Sequence, residues 1–191
     1  MDKRFNSEGY LAGQMLIAMP QMQDPRFART VVYVCAHTAE GAMGLVVNRL
    51  FDALSFPDLL QQLDITPTIA CDPIRVHFGG PVESGRGFVL HSGDYCLDTT
   101  LMVDKDVGLT ATVDVLKAIA HGEGPSRSLL ALGYSGWSAG QLDSEILENS
   151  WLNVPADPDL LFGTELDRKW ERALAKLGAN PLLLSTDAGH A

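Results

Sequence analysis

Thr30-Val31-Val32-Tyr33-Val34-Cys35-Ala36, followed by Glu40-Gly41 and then Gly44-Leu45-Val46-Val47, is the stretch that decides the fold. Two apolar runs rich in β-branched residues, divided by a glycine-containing turn, read as neighbouring strands of a hairpin. Upstream, residues 11–19 form another apolar run of strand length, ended by Met19-Pro20, with Asp24-Pro25 marking the turn after it. The chain therefore opens as a β-sheet.

Helical signals begin beyond it. Ser55 stands as an N-cap before Phe56-Pro57-Asp58, with Pro57 tolerated in the first turn and Leu59, Leu60 and Leu63 behind it. Residues 75–78 and 87–91 read as strands around the turn Gly79-Gly80-Pro81, which suits a hairpin. Thr112 caps a helix over 113–120 whose Val113, Leu116, Ile119 and Ala120 share a face, and Gly122 stops it. Residues 128–134 read as a buried strand. Ser138-Ala139-Gly140-Gln141 has the capping-box form, placing Ser138 as the N-cap of a helix carrying Leu142, Ile146 and Leu147. Asp157-Pro158 opens a single turn. A last helix carries Leu166, Trp170, Leu174 and Leu177, and residues 181–185 read as a short final strand. Strands and helices interleave without βαβ regularity, so the expected class is α/β with an α+β-like mixed sheet in one domain.

The totals agree with a single domain. A chain of 191 residues with 46% hydrophobic and 20% charged residues is globular and long enough to bury a core without metal or disulfide. The expected organisation is a flexible segment 1–12, one domain over 13–185 and a tail 186–191. Twenty-four acidic against 14 basic side chains give a net charge of −10, which repels nucleic-acid phosphates and anionic lipid heads, and no Lys/Arg run offsets it. Neither nucleic acid nor membrane is an expected partner. Cys35, Cys71 and Cys96 are odd in number and lack C-x-x-C spacing, which fits small buried hydrophobes in a reducing cytoplasm.

Several patterns invite chemistry. Gly136-Trp137-Ser138-Ala139-Gly140 is a literal G-x-S-x-G between a strand and a helix, the setting of a hydrolase nucleophile elbow. Against that, the turn glycines come earlier, Ser138 is accounted for as a cap, and only His190 follows it as a base. Cys35 and His37 alternate on a strand and share a face, but two ligands fall short of a metal site. His77 and His91 sit in strands flanking Gly-Gly-Pro, where the fold could bring them together to bind an anion or move a proton. The run from Gly79 to Gly87 is too irregular for a nucleotide loop and lacks the Lys-Ser/Thr of a Walker motif. Trp137, Trp151 and Trp170 lack the interleaved basic residues of a stacking platform, so core packing is expected. No cofactor or metal is assigned.

Ordered blocks carry a family resemblance. Leu16-Ile17-Ala18-Met19-Pro20, residues 24–33, His37 with 41–48, Gly79-Gly80-Pro81-Val82, Gly87-Phe88-Val89-Leu90-His91, Gly133-Tyr134-Ser135-Gly136-Trp137, residues 140–146 and Asn149-Ser150-Trp151-Leu152 resemble the AlgH/YqgE family of bacterial proteins. The resemblance spans residues 13–178. It implies a compact α/β domain whose branched sheet forms a partial barrel flanked by helices. Some members carry a label as transcriptional regulators of exopolysaccharide synthesis, yet no helix-turn-helix, zinc finger or basic arm is visible here. The family pattern does not require Ser at 138. The pair Arg49-Leu50 departs from the basic-then-Pro pair expected after the Asn, which affects only the local turn.

The expected function is a non-enzymatic regulatory domain that binds a small molecule or protein partner, with an indirect role in transcription. The oligomeric state is left open between monomer and homodimer. The ligand surface is assigned to Asp24, Arg29, His37, Asn48, Gly79, Gly80, Pro81, His91, Tyr134, Trp137 and Gln141, because polar and glycine positions in loops usually carry function. The alternatives are a hydrolase using Ser138, or a histidine site built on His37, His77 or His91. A direct DNA-binding regulator is disfavoured by charge.

Overall fold

In the computed structural model, which describes residues 10–178, the hairpin read from residues 30–47 is present. Strand β2 (Val31–Thr38) runs antiparallel to β3 (Gly41–Val46), with Thr38 opposite Gly41. Strand β1 (Gln14–Ala18) pairs with the far edge of β2, and β9 (Trp151–Pro155) pairs antiparallel with β1. Sequence reading assigns no element to residues 151–155; the open edge of β1 recruits them.

The sheet is organised by β8 (Ser128–Ser138), an 11-residue strand where the sequence suggests a strand to 134 and then a loop. Gly133 lies in the left-handed region at φ 72°, which bends β8 without ending it. The first half of β8 pairs antiparallel with β5 (Val82–Ser92) on one edge and parallel with β4 (Val76–Phe78) on the other. Its last four residues, Ser135 to Ser138, pair with β3. Strand β4 thus wedges between β8 and the continuation of β3, where Leu50 bridges His77, and the sheet forks there.

This topology corrects the hairpin expected around Gly79-Gly80-Pro81. Strands β4 and β5 lie on opposite edges of β8, so the link between them crosses that strand. The crossing is the reason for the glycines. A Cβ on Gly80 would lie 2.1 Å from the Tyr134 carbonyl carbon, and one on Gly79 would lie 2.3 Å from the Gly133 oxygen. Two further strands, β6 (Leu101–Met102) and β7 (Val107–Thr110), complete the order β6-β7-β5-β8-β3-β2-β1-β9, with β4 branching from β8. With one parallel pairing among antiparallel ones, the sheet is mixed and curls into a half-barrel.

Among the described residues five helices cover it. Helix α1 (Phe56–Gln62) starts as the sequence suggests: the Asp58 N–H donates to Ser55 Oγ at 3.2 Å while the Ser55 N–H reaches Asp58 Oδ2 at 3.4 Å. With α2 (Val113–Ala120) it buries Phe56, Leu60, Val115, Leu116 and Ile119 against Val76, Val89 and Leu130. Val113, expected on the buried face, is exposed, and Val115 takes its place. The half-barrel interior holds Met15, Tyr33, Leu45, Phe88 and Ala131, closed by α4 (Pro158–Leu161) and α5 (Leu166–Lys176) through Leu161, Trp170 and Leu174. Each buried Met, Leu or Phe side chain among these stabilises the fold by about 1.5–3 kcal/mol. Leu177, assigned to the same face, is exposed one residue past the helix.

The third layer is α3 (Gln141–Leu147), which covers Leu16, Val32, Trp137 and Trp151 with Leu142. Its N-cap is Gly140 at φ 72°, not Ser138. Ser138 is the last residue of β8, and the side chain that reaches is Gln141, whose Oε1 accepts from Ser138 N–H at 2.9 Å and Ser138 Oγ at 3.2 Å. All three tryptophans are buried, as expected. Cys35 and Cys71 are buried but Cys96 is exposed, against expectation, in the connection between β5 and β6. Tyr10 and Leu11 already pack on the domain, Tyr10 against the His37 ring and Leu11 on the α3 layer. The flexible segment assigned to 1–12 is therefore packed from residue 10; residues 1–9, the strand read at 181–185, the tail 186–191 and His190 lie outside the described residues.

Candidate functional site

The eleven residues assigned to a ligand surface fall into separate groups. Asn48 belongs to a loop-bracing group: its Oδ1 accepts from Val31 N–H at 2.9 Å and its Nδ2 donates to the Arg29 carbonyl at 2.9 Å. Arg49 joins it, donating to the carbonyls of Pro25, Arg26 and Ala28 at 2.8, 2.7 and 2.6 Å. Asp24 turns inward on the same loop, accepting from Arg26, whose guanidinium holds the Asp24 carboxyl below its usual range. Arg29 lies over the Trp170 ring, 4.4 Å from its centroid, and so fastens the loop to α5. These side chains shape residues 24–30; sequence reading took bracing for recognition.

Gly79, Gly80 and Pro81 serve the crossing over β8, and Tyr134 and Trp137 lie farther along that strand. Both aromatics line a cavity of about 750 Å³ at the open end of the half-barrel, between the hairpin turn, β5 and β7. Met43, Phe88 and Leu109 make an apolar floor, with Glu40 and Arg86 at the rim. Residues 135–138 of β8 pair only with β3, so their other edge has no strand partner among the described residues. Asp24, Arg29, Asn48 and His91 do not line this cavity, and Gln141 braces Ser138 outside it.

The histidines divide too. A β-bulge at Cys35 adds one residue to β2 between the pairs Val34–Gly44 and Ala36–Met43. It turns Cys35 into the half-barrel interior and leaves His37 opposite Ala42 on the α3 side, so the two do not share a face as alternation implies. His37 Nδ1 accepts from Leu11 N–H at 3.0 Å, which puts the ring proton on Nε2, 3.5 Å from the Asp143 carboxylate. His91 is equally occupied: Nδ1 donates to the Ser92 carbonyl at 3.0 Å and Nε2 accepts from Thr110 Oγ1 at 2.8 Å.

His77 is different. Its Nδ1 lies 3.0 Å from the Leu130 carbonyl, which can only accept, so the proton is on Nδ1 and Nε2 is a free acceptor. Burial pulls its pKa down to about 4, so the ring is neutral at pH 7. His77 and His91 do not meet: His77 aligns with Ala131 and His91 with Ser128 on β8, which places them on opposite faces of the sheet. Ser138 has Gln141 as its hydroxyl partner, not an imidazole, and it lies on one face of β8 while Trp137 and His37, both aligned with Ala42, lie on the other. Among the described residues no group of three or more His, Cys, Asp or Glu could hold a metal ion, and no helix is long and apolar enough to cross a membrane.

Sequence reading missed Lys169. It is 1% exposed, and its Nζ donates to the carbonyls of Val47 at 2.9 Å and Leu161 at 2.8 Å. Burial without a carboxylate partner pulls its pKa down to about 7. Its position on α5, one residue before Trp170, was the available signal.

With its half-barrel, its forked sheet and the glycine crossing over its central strand, the chain is a mixed α/β domain. The AlgH-like family matches residues 15–182, and the chain belongs to it. It is 60% identical to a UPF0301 protein of Rhodospirillum rubrum over 184 residues, 96% of each chain, and 56% identical to one of Azorhizobium caulinodans over 190 residues, covering 95% of this chain and 93% of the other. Among solved structures it is similar to the AlgH protein of Pseudomonas aeruginosa, with a TM-score of 0.79 and 45% identity over the whole of both chains. A Corynebacterium diphtheriae protein, at 19% identity and a TM-score of 0.74 over 97% of this chain and 95% of the other, shares the fold.

Proposed function

We propose that the protein is a regulatory binding domain of the cytoplasm that takes an extended apolar segment of a protein partner into the 750 Å³ groove at the open end of the half-barrel. One observation carries the reading: the apolar floor lies beside the strand edge of β8 over residues 135–138, which has no strand partner on that side among the described residues. An added strand gains affinity from main-chain hydrogen bonds and specificity from alternate side chains, which here drop onto Met43, Phe88 and Leu109. Any effect on transcription is then indirect, through the partner. The net charge of −10 works against direct contact with DNA.

The test is to pan a random peptide library on the protein and on Met43→Glu, which puts a carboxylate on the floor. Enrichment of sequences with alternating apolar residues on the first and not the second, with amide shifts confined to residues 135–138 and 82–88, supports the reading. Equal enrichment on both, or none on either, ends it.

A further inference from the structure

We propose that a second cavity, at the end of the sheet where β4 and β8 begin, binds a small planar carboxylic acid that carries a hydroxyl or N–H donor. The cavity measures about 380 Å³, within the range of small-molecule sites, and is walled by Phe56, Ile74, Ile119, Leu130 and Phe162. No acidic side chain lines it.

Three groups set the ligand's chemistry. The first is His77, 7% exposed and on the cavity wall, whose Nε2 has no hydrogen-bond partner among the described residues. That nitrogen is an acceptor that opens to the cavity, so a ligand with an O–H or N–H at that point takes the place of water there. Of the three buried histidines among the described residues only this one keeps a free ring nitrogen, because His37 and His91 use both. Second, Arg75 lines the same cavity, is exposed, and has no carboxylate within 4.0 Å among the described residues; its one contact is a 3.5 Å approach to the Thr164 carbonyl. A guanidinium so placed takes a carboxylate in bidentate fashion. Third, Lys169 stands behind the wall at Gly163, its Cε 4.0 Å from where a Cβ on that glycine would sit, and below about pH 7, where it holds its proton, it adds a positive field that favours an anion in the cavity. Apolar walls exclude water between these points and fit an aromatic ring.

Para-hydroxybenzoate, benzoate and phenol serve as probes, with and without each polar handle, titrated into nitrogen-15-labelled full-length protein up to their solubility. We expect para-hydroxybenzoate to bind at least about tenfold more tightly than benzoate or phenol, the worth of one buried hydrogen bond or ion contact. In His77→Leu the preference over benzoate collapses to about unity. In Arg75→Gln the preference over phenol does so, while the preference over benzoate stays. Should His77→Leu fail to fold, the wild-type imidazole spectrum decides: Nε2 of His77 shifts on adding para-hydroxybenzoate and not benzoate. Absence of saturable shifts with all three probes, or a preference for the hydroxyl that survives His77→Leu, or a Nε2 signal unmoved by the saturating probe, overturns the proposal.

Discussion

Lys169 and Val47 are 122 positions apart in sequence, yet the side-chain nitrogen of the first sits 2.9 Å from the carbonyl oxygen of the second. That contact ties α5 to the end of β3 inside the protein, and the burial of the lysine there makes stability depend on pH. The unfolded chain holds the lysine proton up to near 10.5, whereas the folded protein releases it near 7. Between those values the unfolded state binds more protons, so stability rises with pH. Relative to Lys169→Met, the wild type should gain on the order of a few kcal/mol across that window and show no further change below it. Urea denaturation of both proteins at several pH values measures the difference; parallel curves would contradict a lowered lysine pKa.

Gly133→Ala should destabilise the fold by about 3 kcal/mol or more, and the protein will be recovered largely unfolded if its margin is ordinary. Two costs combine: a φ of 72° that alanine resists, and a Cβ placed 2.3 Å from the Gly80 oxygen. Gly140→Ala, with a similar φ and open space around it, isolates the first cost and should lose only about 1 kcal/mol. Thermal melting ranks the two, and equal losses would show that the crossing is not tight.

Arg49→Lys should cost about 1–2 kcal/mol although the charge is kept, because an ammonium cannot span the Pro25, Arg26 and Ala28 carbonyls as the guanidinium does. Amide hydrogen exchange is the sharper measurement. Exchange should accelerate over residues 24–30 and stay unchanged in β8.

Ser138→Ala should leave stability within about 0.5 kcal/mol of wild type, since it removes one exposed hydroxyl bond to Gln141. Gln141→Ala should cost more, because the Ser138 N–H then loses its acceptor as well. An esterase screen of wild type and Ser138→Ala should return equal, negligible rates. A rate lost specifically with the serine would revive the nucleophile reading.

Local signals in the sequence were legible where a residue's meaning is settled within a few neighbours. The hairpin over 30–47, the Ser55 cap and the Asp157-Pro158 turn follow from propensities and side-chain reach alone, and all three stand in the structure. Failures came where the same residue type serves a distant partner. Gly79-Gly80 looks like a tight turn but is thinned for passage over Tyr134, and Gly133 looks like a strand end but is a bend within β8. The bulge at Cys35 leaves no trace in the alternation of residues 31–38, yet it moves His37 to the other face. For the sites the limit is sharper still. Arg75, Phe162 and His77, or Met43, Phe88 and Leu109, meet only through the sheet topology, while the conspicuous Asp24, Arg29 and Asn48 satisfy their own loop.

The position of β8 in the chain also sets an order of assembly. Its partners β3, β4 and β5 all leave the ribosome before residue 128 does, and none has another strand to close the fork in its place. During synthesis they wait with open edges, the state in which nascent sheets stick to one another. The fork is then closed in one late event by contacts between segments far apart in sequence, which makes for slow folding until Ser138 has emerged.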